Sequence, residues 1–178
     1  MNRQCGDCQL CCKLLPVREL AKGAGERCRH QRTGKGCMVY NRPGMPLSCQ
    51  LWSCRWLSRD DTGGLSRPDR VHYVIDIMPD YITASDNATG ESRTVECIQV
   101  WIDPNYPDAH RDPALRAYLQ EQAALHGTVA LIRYDNRRGF VLIPPPMNTQ
   151  NAWLEHAAVM GDKEHSASQI LEATGKLF

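Results

Sequence analysis

Apolar residues in this chain fall into two textures. Through residues 1–57 they keep no sustained period, and short groups such as "LLPV" are broken by Gly, Pro, Cys and Arg. "LLPVRELAK" predicts only a short helix after Cys12, with Pro16 near its first turn. The stretch that follows, "GAGERCRHQRTGKGCMVYNRPGMPLSCQLWSCRWL", cannot bury enough apolar surface to order itself. Residues 58–70, "SRDDTGGLSRPDR", read as a polar linker or surface loop.

Beyond residue 70 the pattern changes. "VHYVIDIM" (71–78), "TVECIQVWI" (94–102), "TVALIRY" (128–134) and "GFVLI" (139–143) are rich in β-branched and aromatic residues and read as strands, with "YITAS" (81–85) a further short one. "DNRR" joins the last two long strands as a hairpin. The clearest helix signal lies between strands: Asp112 as N-cap, Pro113 in the first helical position, Leu115, Tyr118 and Leu119 on one face, and Gly127 as the stop. "PPP" at 144–146 ends the hairpin, and the tail (151–178) is read as one or two helices around "AWLEHAAVM" and "SASQILEA". The expected fold class is α+β. An irregular cysteine-rich lobe, residues 1–57, is organised by metal and packs on a small α+β domain, residues 71–178, with a mostly antiparallel sheet.

A chain of 178 residues supports one ordinary core together with such a lobe. No run approaches the ~18 consecutive apolar residues of a membrane span, and no basic start leads into an apolar signal segment. A cytoplasmic protein without a membrane partner is the resulting expectation.

Nine cysteines change the picture most, and four of them lie within eight residues: "CGDCQLCC" holds Cys5, Cys8, Cys11 and Cys12. Cys28, Cys37, Cys49 and Cys54 follow in the same lobe. Stable disulfides are rare in a reducing compartment, the count is odd, and adjacent Cys11 and Cys12 suit two partners better than one bridge. Metal ligation is the reading that remains. Cubane iron–sulfur clusters and tetrahedral zinc both take four thiolates, so eight cysteines suit two mononuclear sites, a cluster plus a zinc, or one site with spares. Cys5, Cys8 and Cys11 reproduce the C-x-x-C-x-x-C run of bacterial ferredoxins, which favours a 4Fe–4S iron–sulfur cluster over zinc. Cys12 is expected to point away from Cys11, into a second site or a shared edge; the spacing leaves the partition open. Cys97, in an apolar strand pattern, reads as core.

The ordered series "CGDCQLCC", "CRH" and "GCMVYNRPGMPLSC" resembles the YkgJ-type CxxCxxCC cysteine-cluster family of zinc- or iron-chelating domains. Cys28, then Cys37 with Tyr40, Arg42 and Pro43, then Cys49 follow that family's order, over about residues 5–57. The chain departs from it through "GMPLS" before Cys49 and "WSCRWL" after it, which makes Cys54 a substitute or additional ligand. The resemblance implies metal chelation and no particular reaction.

Charge divides the same way. Residues 1–70 carry 13 Lys and Arg against 6 Asp and Glu, whereas residues 71–178 carry 8 against 14. The basic half is read as offsetting thiolate charge, through Arg27, Arg29, Arg32, Lys35, Arg42 and Arg55, ahead of an acidic protein partner. Nucleic acid is disfavoured, since aromatic stacking platforms and a recognition helix are missing from the pattern. His30 is a lesser ligand candidate, Arg42 a hydrogen-bond donor to sulfur, and Trp52 with Trp56 an apolar cover beside Cys54. Asp103, Asp108 and Asp112 form a weaker acidic candidate. The leading expectation is a metal–thiolate protein. The alternatives are a metal-dependent enzyme or its accessory subunit, which needs an open coordination position, and a structural zinc interaction module with a basic partner-binding face.

Overall fold

The computed structural model describes residues 3–85, 89–161 and 165–175. The outermost residues of the expected lobe and tail (1–2, 176–178), and 162–164 within that tail, lie outside the described residues. The lobe is assembled from short pieces: α1 (Leu10–Leu14), a two-stranded hairpin of β1 (Gln31–Arg32) and β2 (Gly36–Cys37), α2 (Leu47–Leu51) and α3 (Arg55–Ser58). The turn of α1 comes just before the predicted helix, and Pro16 lies between it and a 3₁₀ turn at Arg18–Leu20.

Residues 58–70 are more firmly held than a linker. They contain a 3₁₀ turn at Asp60–Thr62 and the start of α4 (Pro68–Val71), and both Thr62 and Leu65 are buried. Leu65 belongs to the main core, and Arg3 reaches across to donate to Thr62 Oγ1 at 2.6 Å and to its carbonyl at 2.8 Å.

The larger part is an α+β fold around a six-stranded sheet. Its strands are β3 (Tyr73–Ile75), β4 (Asp80–Ser85), β5 (Ser92–Ile102), β6 (Val129–Arg133), β7 (Gly139–Ile143) and β8 (Leu154–Ala157), ordered β3-β5-β6-β7-β8 with β4 also paired to β5. Long β5 pairs with β4 through its exposed first half and with β3 through its buried end. All pairings are antiparallel except β5–β6, where the chain crosses over through α5 (Pro113–His126). That helix begins and ends as the sequence predicts: the Asp112 side chain accepts from Leu115 N at 2.9 Å, and Gly127 adopts the left-handed conformation at φ 67°.

Period-2 alternation gives the sheet two different faces. Ile98, Val100, Ile102, Ala130 and Ile132 pack under Leu115, Tyr118 and Leu119 of α5. The opposite face carries Cys97, Val129, Leu131 and Val141, and near the end of β5 it presents Val74 and Trp101 to the cysteine lobe. Cys97 is 1% exposed, as a core thiol should be.

The tail differs from expectation in one element. "AWLEHAAVM" contributes strand β8, not a helix, because pairing with the free edge of β7 outweighs the helix propensity of Ala, Leu and Glu. The second segment does form a helix, α6 (Ala167–Thr174), started by a reciprocal capping box between Ser166 and Gln169.

Candidate metal centre

Five separate stretches of the lobe bring cysteines together. Cys5 and Cys8 share a tight turn, with Cys8 N donating to Cys5 O at 3.0 Å; Cys11 and Cys12 lie on α1. Cys28 is joined to α1 through its N–H, which donates to Cys12 O at 3.0 Å, and Cys37 ends β2. Cys49 lies on α2 and Cys54 is the N-cap residue of α3.

Seven of these, Cys5, Cys11, Cys12, Cys28, Cys37, Cys49 and Cys54, line one cavity of about 370 Å³, while Cys8 is buried beside it. No disulfide joins any of the cysteines among the described residues. Among the described residues no three His, Cys, Asp or Glu side chains are gathered tightly enough to hold a metal ion as they are placed.

The local backbone explains how loops so poor in apolar residues reach this arrangement. Gly36 is buried at φ +78° and faces the Gly6 carbonyl oxygen so closely that a Cβ would overlap it. The hairpin can therefore lie flat on the "CGDC" turn, which places Cys37 near Cys5. Glu19 orients α2: its carboxylate accepts from Ser48 N and Ser48 Oγ, both at 2.8 Å, one residue before Cys49. Lys13 fixes α1 to the sheet by donating to both oxygens of Asp103, at 2.7 and 2.6 Å.

That ion pair replaces the acidic cluster read from the sequence. Asp103 serves Lys13, Asp108 lies 3.4 Å from Arg111, and Asp112 caps α5, so each is accounted for structurally. The two tryptophans also part company. Trp52 lines the cavity and donates to Asp76 Oδ1 at 2.8 Å, but Trp56 packs toward the main core and donates to the Leu65 carbonyl.

Thiol chemistry in the lobe is dominated by burial and by neighbouring sulfur. Burial, reinforced by Cys8 and Cys54, pushes Cys5 up to about 12. Burial likewise takes Cys49 to about 12 and Cys54 to about 11. The mutual influence of the adjacent Cys11 and Cys12 thiols, together with burial, drives Cys11 up, whereas Cys12 is lowered, with Lys22 also favouring its thiolate. Backbone amides of Leu10 and Asp69 oppose burial at Cys8, those of Val39 and Tyr40 do so at Cys37, and that of Leu57 does so at Cys54. Amides directed at sulfur stabilise the charged form that metals bind.

Three participants escaped the sequence reading: Lys22, Asp76 and Trp101. Lys22, 5% exposed, donates from Nζ to the carbonyls of Leu15 and Gly23; burial lowers its ammonium, and the fields of Cys28, Cys12 and Cys11 oppose that shift. Asp76 accepts from both cavity indoles, Trp52 and Trp101, the latter at 3.3 Å. An aspartate inside the apolar run "VHYVIDIM" was the available signal for it. Of the arginines expected to offset thiolates, Arg55 donates to the Asp76 carbonyl and Tyr118, Arg27 to Thr33 and Arg29 to Leu20. Arg42 is exposed, and its backbone shapes the turn between Val39 and Met45. His30 reaches the cavity wall.

Set against known proteins, the chain matches no family model, no curated protein and no solved structure. Among the described residues no helix is long and apolar enough to cross a membrane.

Proposed function

We propose that the protein is a metal–thiolate protein whose N-terminal lobe binds an iron–sulfur cluster. The observation carrying this reading is the convergence of seven cysteines, from five chain segments, on one cavity. Incidental thiols are scattered; these are phased by turns, a hairpin and helix ends that would otherwise have little to hold them together. The C-x-x-C-x-x-C run of Cys5, Cys8 and Cys11, which resembles that of bacterial ferredoxins, favours a cluster over a lone zinc ion. The order of cysteines, resembling the YkgJ-type chelating domains, points the same way as far as metal is concerned.

The surplus of thiols leaves no need for an open coordination position, so the reading is electron transfer or structural support ahead of substrate activation. When bound, a cluster supplies one-electron chemistry. The chain's own residues ligate it, direct amides at its sulfur ligands and keep water away with Trp52 and Trp101.

The test is anaerobic purification, with iron, zinc, acid-labile sulfide and the absorption spectrum measured on one sample. The expected result is a broad band near ~400 nm with iron and sulfide in equal amounts. Stoichiometric zinc without colour would make the lobe a structural zinc module, and absence of metal after anaerobic reconstitution would reject metal binding altogether.

A further inference from the structure

We infer that the lobe holds two adjacent four-thiolate centres, one formed by Cys5, Cys8, Cys11 and Cys54 and the other by Cys12, Cys28, Cys37 and Cys49. This rests on the metal-binding reading above and goes beyond it by assigning the ligands.

Packing draws the division first. Cys5, Cys8, Cys11 and Cys54 belong to a single apolar cluster with Leu10, Leu14, Leu15, Val74 and Trp101, and none of the other four cysteines belongs to it. Chain geometry draws it again. Cys28 is bonded backbone to backbone to Cys12, and Cys28 and Cys37 flank the β1–β2 hairpin, where Gln31 pairs with Cys37 and Met38 N donates to His30 O at 2.9 Å.

Helix geometry explains where the border falls. Successive residues of an α-helix project about 100° apart, so neighbouring cysteines on α1 can serve different centres while their sulfurs remain in reach of one another.

The surroundings differ as well. The first set has an apolar shell with the Asp76-anchored indoles on one side; the second has the buried Lys22 ammonium beside Cys28 and Cys12. Each set provides the four thiolates that a cubane cluster or a tetrahedral zinc takes, so no thiol of the eight is left over. A single centre would leave four of the eight lobe thiols without a ligand role.

The experiment measures iron, zinc and sulfide per chain in the full-length protein purified anaerobically, then in Cys54→Ser and Cys49→Ser, with circular dichroism on each. The wild type should carry the content of two centres: about eight irons, about two zincs, or about four irons with one zinc. Each substitution should remove the content of one centre and leave that of the other, and the visible absorption bands of the two variants should add up to that of the wild type. One centre's content in the wild type overturns the division regardless of how the variants fold. A folded variant that loses everything overturns it too. A wild type that holds no metal overturns instead the underlying reading, so the two failures are distinguishable.

Discussion

Asp76 occupies a strand end where the apolar pattern leads to Ile or Val, and its burial is explained by what it accepts: the indole N–H of Trp52, that of Trp101 and the amide of Met78. Replacing it with Ala would strand one fully buried indole donor and one half-buried one. Each such loss costs about 1–3 kcal/mol, so Asp76→Ala should lower stability by about 2–4 kcal/mol in urea unfolding. A change below about 0.5 kcal/mol would show that these bonds contribute nothing net.

Glu19 offers a pH-dependent case at the same scale. Although burial works to raise its carboxyl, the donors of Ser48 lower it below the ordinary glutamate value. The sign follows from that direction. A carboxyl depressed in the folded state contributes in full above its unfolded range, and the contribution is lost as pH falls through the lowered folded value. Glu19→Gln should therefore weaken metal retention by the lobe at neutral pH, with the difference from wild type shrinking on acidification, measured by competition with a chelator. Reading such residues from sequence is uneven. Asp112, Pro113 and Gly127 carry their meaning locally, in caps that the structure reproduces. Lys22 lies in "LAKGAGE", where nothing signals that its ammonium will be enclosed; only the tertiary arrangement of Cys12 and Cys28 gives it a role.

Among the elements, α1 is the hinge of the lobe's design, carrying one cysteine of each inferred centre and a single strong tie to the sheet. Lys13 is partly exposed and Asp103 nearly buried, with side-chain exposures of 29% and 6%. Lys13→Met removes the partner of a buried carboxylate and should destabilise the protein by about 1–3 kcal/mol; a Lys13→Met/Asp103→Leu double mutant should recover part of that loss. The β1–β2 hairpin depends instead on close approach. Gly36→Ala meets both a positive φ and the Gly6 carbonyl, so it should displace Cys37 and reduce metal content while the far sheet keeps its amide protection. Strands β4 to β7 were legible because richness in β-branched and aromatic residues is a local property. Strand β8 was not, because "AWLEHAAVM" favours a helix until the edge of β7 is present to pair with it. The partition of the cysteines was illegible for a related reason: spacing fixes how near two sulfurs can come, but the direction of each is set by a turn, a hairpin or a cap.

At the scale of the molecule, two modes of stabilisation meet along β3 and the end of β5. The sheet and α5 are held by a continuous apolar core, while the lobe adds a few leucines and two tryptophans to its cysteines. Metal removal should therefore be selective. In hydrogen exchange, amides of residues 3–57 should lose protection on chelation, whereas those of β5, β6 and α5 should retain it; uniform loss would mean that the two parts unfold as one cooperative unit. The division of charge follows the same line, the basic half surrounding the cysteines and the acidic half forming the sheet domain.

Cys97 stands apart from all of this, enclosed at the centre of β5 between Asp80 of β4 and Val129 of β6. Because eight thiols report on the lobe and this ninth one reports on the sheet, the chain carries its own clock. Timed alkylation read by mass spectrometry would show the lobe opening as a rapid gain of labels. The last label would arrive only when the sheet itself comes apart, giving the opening rates of both halves from one untagged sample.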